Sequence, residues 1–504
     1  MPSIGRVLAE GSRDSVTQNL RLNMLQHPYL ELPKSFFQPV WPEPQQNARL
    51  VAVNRALMQQ IDCDLSDEQL LALTAGQLDS PGLAEFDLQP LAQKYTGHQF
   101  GYYNPDLGDG RGVLLGRWED KNHQAWDFHL KGAGRTPYSR RGDGRAVLRS
   151  VIREYLASEA LYGLGVPTTR ALSIATSDEQ VQRETFEPRA SLIRVTPSHI
   201  RFGHFQWAAS KGPATFEFLT NFVVEHHYPE LQSLEEPQRS AALLKTVCER
   251  TAVLVAKWQA VGFNHGVMNS DNMSILGETF DFGPYAFFDD FQIEYICNHS
   301  DYEGRYAYNQ QPKIGVTNCQ LLAQAFDKVL DEAAQNEALE AFVETYNRQY
   351  IDEMNRKIGL HTVQPDDKNL IGDLLVLMDQ HRVDFSLFFR RLAKWNQPDE
   401  GELMALLNQP GAFVDWFQRY DARLQQEGVS ESERQQRILA ANPAIVLRNY
   451  IAQGIIEAAE NGDYQPLEQW VDALHSPFEE HPGLAEFQQP PSPEQKGLQL
   501  SCSS

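Results

Sequence analysis

The chain has 504 residues, too many for one compact core, so two or more packed subdomains are expected. Its formal net charge is −23, and so acidic a surface argues against nucleic acid as the main partner, because phosphate backbones need a basic footprint. No apolar run of about 18 residues is present, so no membrane span is expected. Five cysteines (Cys63, Cys248, Cys297, Cys319 and Cys502), none in a C-x-x-C pair, speak against a zinc site or a dense disulfide framework.

The first 24 residues interleave Arg6, Glu10, Arg13, Asp14 and Arg21 with polar residues and lack the apolar core of a secretory signal, which points to a cytoplasmic protein. Residues 1–95 read as an N-terminal extension. Its Pro- and aromatic-rich stretch Pro28–Pro44 is expected to wrap over the fold, followed by short helices over Ala48–Ile61 and Ser66–Leu73. Residues 96–215 change texture. The glycine cluster Gly108-Asp109-Gly110-Arg111-Gly112 is a turn, Val113–Trp118 and Ala125–Leu130 read as strands, and Lys131 ends the second. After a glycine-cornered loop, the spacing predicts a helix over Ala146–Leu164, stopped by Gly165 and Pro167, then strands Ala171–Ala175 and Ala190–Val195. Residues 216–475 read as mainly helical, with helices over Ala241–Val261, Glu337–Lys357 and Pro443–Ala459 and a loop with short strands over His265–Asp290. Residues 476–504, with Pro490, Pro491 and Pro493, read as an extended tail.

Four constellations carry chemistry. The 108–112 glycines let backbone N–H groups approach a polyphosphate, with Arg111 adding a cation. Lys131 ends an apolar strand, and Glu154, seven residues after Val147, lies on the inward helix face where a carboxylate needs a cationic partner. Arg135, Arg140, Arg141, Arg145, Arg149 and Arg153 crowd into nineteen residues whose one acid is Asp143, within Gly142-Asp143-Gly144 at the start of the helix; Arg194 stands at the end of a later strand and Arg201 just beyond it. Helix-surface ion pairing accounts for Arg149 and some neighbours, and a buried polyphosphate site accounts better for so many guanidiniums together. Finally, His265-Gly-Val-Met-Asn-Ser-Asp-Asn272 followed by Asp281-Phe282-Gly283 is spaced like the H-R-D-L-x-x-x-N and D-F-G segments of kinases. Val267 stands where the catalytic Asp is expected and cannot accept a proton. Asn272 and Asp281 remain as hard oxygen donors suited to Mg²⁺ or Mn²⁺, and Asp271 is a displaced candidate base.

With Phe128-His129-Leu130-Lys131-Gly132 and the Cys502-Ser503-Ser504 terminus, these motifs resemble the selenoprotein O family from Pro28 to the C-terminus. The resemblance implies an α+β, protein-kinase-like bilobal fold with an N-terminal extension and additional C-terminal helices. It implies an enzyme that transfers AMP, or UMP in some members, from ATP or UTP to Ser, Thr or Tyr hydroxyls of proteins. Carried over, Gly108, Gly110, Arg111, Lys131, Asp143, Gly144, Arg194 and Arg201 bind nucleotide and Glu154 orients Lys131. Asp271 accepts the proton, and Asn272 and Asp281 hold the metal. The resemblance also suggests a redox-sensitive Cys297–Cys502 disulfide, against two free thiols. A small-molecule kinase of aminoglycoside-phosphotransferase type and a non-catalytic ATP-binding pseudokinase stay open as alternatives.

Overall fold

The computed structural model describes residues 28–498. In chain order its elements are β1 (Phe37–Pro39), β2 (Arg49–Val53), α1 (Arg55–Gln60), α2 (Asp67–Thr74), β3 (Leu91–Gln99), β4 (Tyr102–Gly108), β5 (Gly112–Glu119), β6 (Ala125–Lys131) and β7 (Ala146–Val147). Then come α3 (Leu148–Gly163), β8 (Arg170–Gln182), β9 (Phe186–Thr196), α4 (Phe202–Lys211), α5 (Pro213–His227), α6 (Gln238–Val261), β10 (Phe263–Asn264) and β11 (Ala286–Phe287). The rest is helical: α7 (Gln311–Ala325), α8 (Glu332–Lys357), α9 (Asp367–His381), α10 (Phe385–Arg391), α11 (Gly401–Met404), α12 (Val414–Glu427), α13 (Glu431–Ala441), α14 (Asn449–Glu460) and α15 (Gln465–His475). Among the described residues no helix is long and apolar enough to cross a membrane.

Mixed α and β elements thus build an antiparallel nine-stranded sheet and a large helical region. The sheet runs β1-β3-β5-β6-β9-β8-β2, with β4 on β3 and β7 on β9. One face is closed by α1 and α2, packed on Val113, Leu115, Phe128, Leu130, Ile193 and Val195. The other receives α3, whose Leu148, Val151, Ile152, Tyr155 and Leu156 are buried. Strand alternation then sends His129, Lys131 and Arg194 to the α3 face, with His129 paired opposite Arg194 in the ladder.

Several elements depart from the sequence reading, each because a distant partner decides. The helix expected over Ala48–Ile61 is strand β2 for its first third, paired along β8. Helix α1 begins only where Asn54 caps it, its Oδ1 accepting from Leu57 N at 2.9 Å. Residues 37–39 and 49–53 therefore enter the sheet itself. Helix α3 starts at Leu148 because Ala146 and Val147 pair with β9, and α14 starts at Asn449 because the preceding Arg448 is drawn into an ion pair with Asp384. The hairpin β3–β4 had no signal: β4 carries Asn104, Pro105 and Asp106, residues that read as a turn. The expected extended tail is docked instead. Residues Pro482–Gln488 form a 3₁₀ turn that buries Leu484, and Lys496 Nζ donates to Asp290 at 2.7 Å.

Candidate active site

A cavity of about 770 Å³ lies between the β6–β9 face of the sheet and the segment running from Val267 to Pro284. Nine Lys and Arg side chains line it against four carboxylates, although the whole chain carries −23. Such a concentration of guanidiniums in a concave site favours a multiply charged anion.

Its floor is a continuous chain of ion pairs. Lys131, at the end of β6, donates to Glu154 Oε2 on α3. Arg194 donates from Nε to Glu154 Oε1 at 2.8 Å and reaches Asp281 Oδ1 at 2.8 Å. Arg201, just before α4, binds Asp281 Oδ2 and donates to the Asp271 carbonyl at 2.9 Å. Both guanidiniums rest on the Phe280 ring, at 4.7 and 4.3 Å from its centroid. They are therefore held in place before any ligand arrives.

The same contacts set the charge states. Burial pushes the Asp281 carboxyl up, but Arg201 and Arg194 overcome it and hold the group well below the usual carboxylate range. Glu154 is likewise held down by Arg194 and Lys131 against burial. Asp271 goes the other way. Burial raises it to about 6, against the weaker pull of Arg201 and a hydrogen bond from Gln99. Its Oδ1 is buried and has no hydrogen-bond partner among the described residues.

The glycine-cornered loops approach closely. A Cβ on Gly112 would lie 2.2 Å from His129 Cε1. Gly144 has φ +71° and would place a Cβ 1.9 Å from the Gly134 carbonyl oxygen, so the loop after β6 closes only with glycine there. Gly108, Gly110 and Arg111 line the cavity from above, and Asp143 lines its mouth. Asp143 accepts from Arg183 at 2.9 Å and from Arg145 N at 2.9 Å.

The six clustered arginines separate. Arg135, Arg140 and Arg141 line the cavity and, like Arg111, pair with no carboxylate among the described residues. Arg145 lines it too but pairs with Glu43. Arg149 pairs with Glu187 at 2.6 Å on the outer side of α3. Arg153 turns inward to the Tyr285 carbonyl at 3.0 Å and stacks on that ring. Residues that sequence reasoning passed over are Tyr95, Gln99, Tyr138 and Arg183, all lining the cavity. His129 was legible, since alternation on β6 puts it beside Lys131.

A divalent cation is tested by the donors present. Asn272 and Asp281 line the same cavity. Asn272 Nδ2 donates to the Val267 carbonyl at 3.0 Å, which leaves its Oδ1 as a ligand atom. No trio of His, Cys, Asp or Glu able to hold a metal occurs among the described residues. The set fits a Mg²⁺-type ion that takes the rest of its shell from phosphate and water. Of the suggested disulfide, Cys502 lies outside the described residues. Cys297 is buried below Gly266, its Sγ donating to the Asn264 carbonyl at 3.5 Å.

The family model described as protein adenylyltransferase SelO matches residues 20–475. The chain belongs to the SelO family. It is similar to a protein nucleotidyltransferase YdiU of Hydrogenovibrio crunogenus, 74% identical over 481 residues, covering 95% of this chain and all of that protein. Proteins of the same name from Pseudomonas fluorescens and Vibrio cholerae are 46% and 45% identical, each alignment covering 94% of this chain and 98% of the relative.

Proposed function

We propose that this chain is a protein adenylyltransferase that moves AMP from ATP to Ser, Thr or Tyr hydroxyls of proteins and releases pyrophosphate. The observation that carries the reading is the ion-pair chain Lys131–Glu154–Arg194–Asp281–Arg201 on the floor of a cation-rich cavity, in a member of an adenylyltransferase family. The arrangement of strands and α3 before the cavity and helices after it supports a kinase-like bilobal division. Its parts are an extension over 1–95, a first lobe over 96–215, a second over 216–475 and a tail beyond. Three of the described cysteines, Cys63, Cys248 and Cys319, are free, in keeping with a reducing cytoplasm.

In this reading Gly108, Gly110, Arg111 and Gly144 cradle the phosphates, and Asp143 serves the nucleotide site through the Arg183 guanidinium that it holds. Lys131, Arg194 and Arg201 offset the charge that develops on the leaving pyrophosphate. Glu154 fixes Lys131 and Arg194. The acceptor oxygen attacks the α-phosphorus, the bond from that phosphorus to the bridging oxygen breaks, and pyrophosphate leaves with the electron pair. The hydroxyl proton passes to Asp271, whose unpartnered Oδ1 and value of about 6 suit a base at neutral pH. Asn272 and Asp281 would hold Mg²⁺ or Mn²⁺, which when bound neutralises phosphate charge. UTP in place of ATP would give UMP transfer by the same residues.

The test uses ATP labelled at the α- or the γ-phosphorus, Mg²⁺, and casein as a hydroxyl-rich acceptor. Label from the α-position on protein, lost on adding EDTA, is the expected result, and a parallel assay with UTP ranks the two nucleotides. Label from the γ-position on casein or on an aminoglycoside would make the chain a kinase. No binding of Mg²⁺-ATP in calorimetry would make it a scaffold.

A further inference from the structure

The hairpin β3–β4 reaches across the cavity and reads the 269–271 segment residue by residue. His98 N donates to Ser270 Oγ at 2.7 Å, Gln99 Nε2 donates to Asp271 Oδ2 at 3.0 Å, and Phe100 N donates to Asn269 Oδ1 at 3.2 Å. The partners are braced from behind. Ser270 Oγ donates to Gln206 Oε1 at 2.9 Å, and Tyr306 OH donates to Asn269 Oδ1 at 2.7 Å. Asn104, on β4, donates from Nδ2 to Gln99 Oε1 at 3.2 Å. That contact fixes which end of the Gln99 amide faces Asp271, so an N–H and not a carbonyl meets the carboxylate.

Gly97 completes the arrangement. A Cβ there would stand 2.6 Å from Asp271 Oδ1 and 2.8 Å from its Cβ, closer than any real side chain comes. The strand therefore lies directly on the carboxylate, and the absent side chain is the space that the oxygen fills. One carboxylate oxygen is held by Gln99; the other, Oδ1, is left without a donor. The β-hairpin thus sets the rotamer of Asp271 and which of its two oxygens carries a hydrogen bond.

We infer that Gly97 and Gln99 are positioning residues for Asp271, and that Asn104 supports Gln99. The inference rests on the reading of Asp271 as the proton acceptor. Its content is separate: the sheet, through one hairpin, fixes where the carboxylate of Asp271 stands. A base misplaced by about 1 Å is enough to cost about 100-fold in rate.

The experiment measures α-label transfer to casein by the full-length enzyme, with kcat and the KM for ATP determined separately. Gln99→Leu removes the donor at a partly exposed site, Gly97→Ala displaces the carboxylate, and Asn104→Ala loosens Gln99. Expected are kcat losses of about 10- to 100-fold for the first two and a smaller loss for the third, with KM for ATP within about twofold. The decisive readout is the pair Gln99→Leu in an Asp271→Ala background. If Gln99 acts through Asp271, the second change adds nothing. Full transfer by Asp271→Ala would overturn the base reading itself. A dead Asp271→Ala beside a fully active Gln99→Leu would overturn only the positioning role, as would additive losses in the double variant. Gln99→Leu keeps the test open should Gly97→Ala fail to fold.

Discussion

Substituting Glu154 by Gln probes the centre of the site. In the wild type three cations, Lys131, Arg194 and Arg201, face two carboxylates, Glu154 and Asp281. The Glu154 side chain is fully buried, with 1% exposure, and Lys131 has 6%. Glu154→Gln leaves three buried cations facing one carboxylate, and breaking a buried pair from one side costs roughly 3–5 kcal/mol. Burial already depresses the Lys131 ammonium, so the orphaned lysine is expected to shed its proton. Lys131→Met removes the opposite charge and leaves two cations facing two carboxylates, so it should cost less. The double variant restores the original charge excess and should recover part of the loss. Urea unfolding gives the stability order wild type, Lys131→Met or the double variant, then Glu154→Gln. All three should lose α-label transfer by about 100-fold or more, because positioning is lost whichever partner goes. A Glu154→Gln protein within about 1 kcal/mol of wild type, or a double variant less stable than both singles, would refute the ion-pair argument.

Three further outcomes follow from the geometry. Arg201→Lys keeps the charge but loses the planar guanidinium that rests on the Phe280 and Tyr95 rings at 4.3 and 4.8 Å, so its grip on Asp281 loosens and kcat should fall by about 10-fold or more while ATP affinity in calorimetry changes less. Gly144→Ala puts a Cβ 1.9 Å from the Gly134 carbonyl at φ +71°; the loop after β6 must open, and ATP binding should weaken markedly in the same titration, with roughly 1–3 kcal/mol of stability lost. Glu159 offers a pH test away from the cavity. Burial would raise it, yet hydrogen bonds from His475 and Arg170 hold it at about 2 against an ordinary 4.5. A depressed carboxyl stabilises the fold above its unfolded value, so roughly 3 kcal/mol should be present at neutral pH and lost as pH falls from 4.5 towards 2. In Glu159→Gln, urea midpoints followed over that range should lose this part of the acid dependence.

Local pattern alone was enough for much of the site. The position of Lys131 at the end of an apolar strand and a 3.6-residue period that turned Glu154 inward marked that pair. The His265–Asn272 and Asp281–Gly283 spacing marked the opposite wall, and the missing Asp at Val267 directed attention to Asp271. These are short-range signals, carried by neighbours within a few positions, and no tertiary information is needed to read them. What only the folded chain decided are pairings between distant segments. Surface ion pairing was legible for Arg149, but only the fold showed that its partner is Glu187 and that the Tyr285 carbonyl draws Arg153 inward, while Arg135, Arg140 and Arg141 keep the cavity. Arg49–Val53 became a strand because β8 offered it a ladder. Gln99 meets Asp271 across a separation of 172 residues. No periodicity encodes such a contact, since hydrogen-bond partners of that kind are chosen by the packing of whole elements and not by the residues beside them.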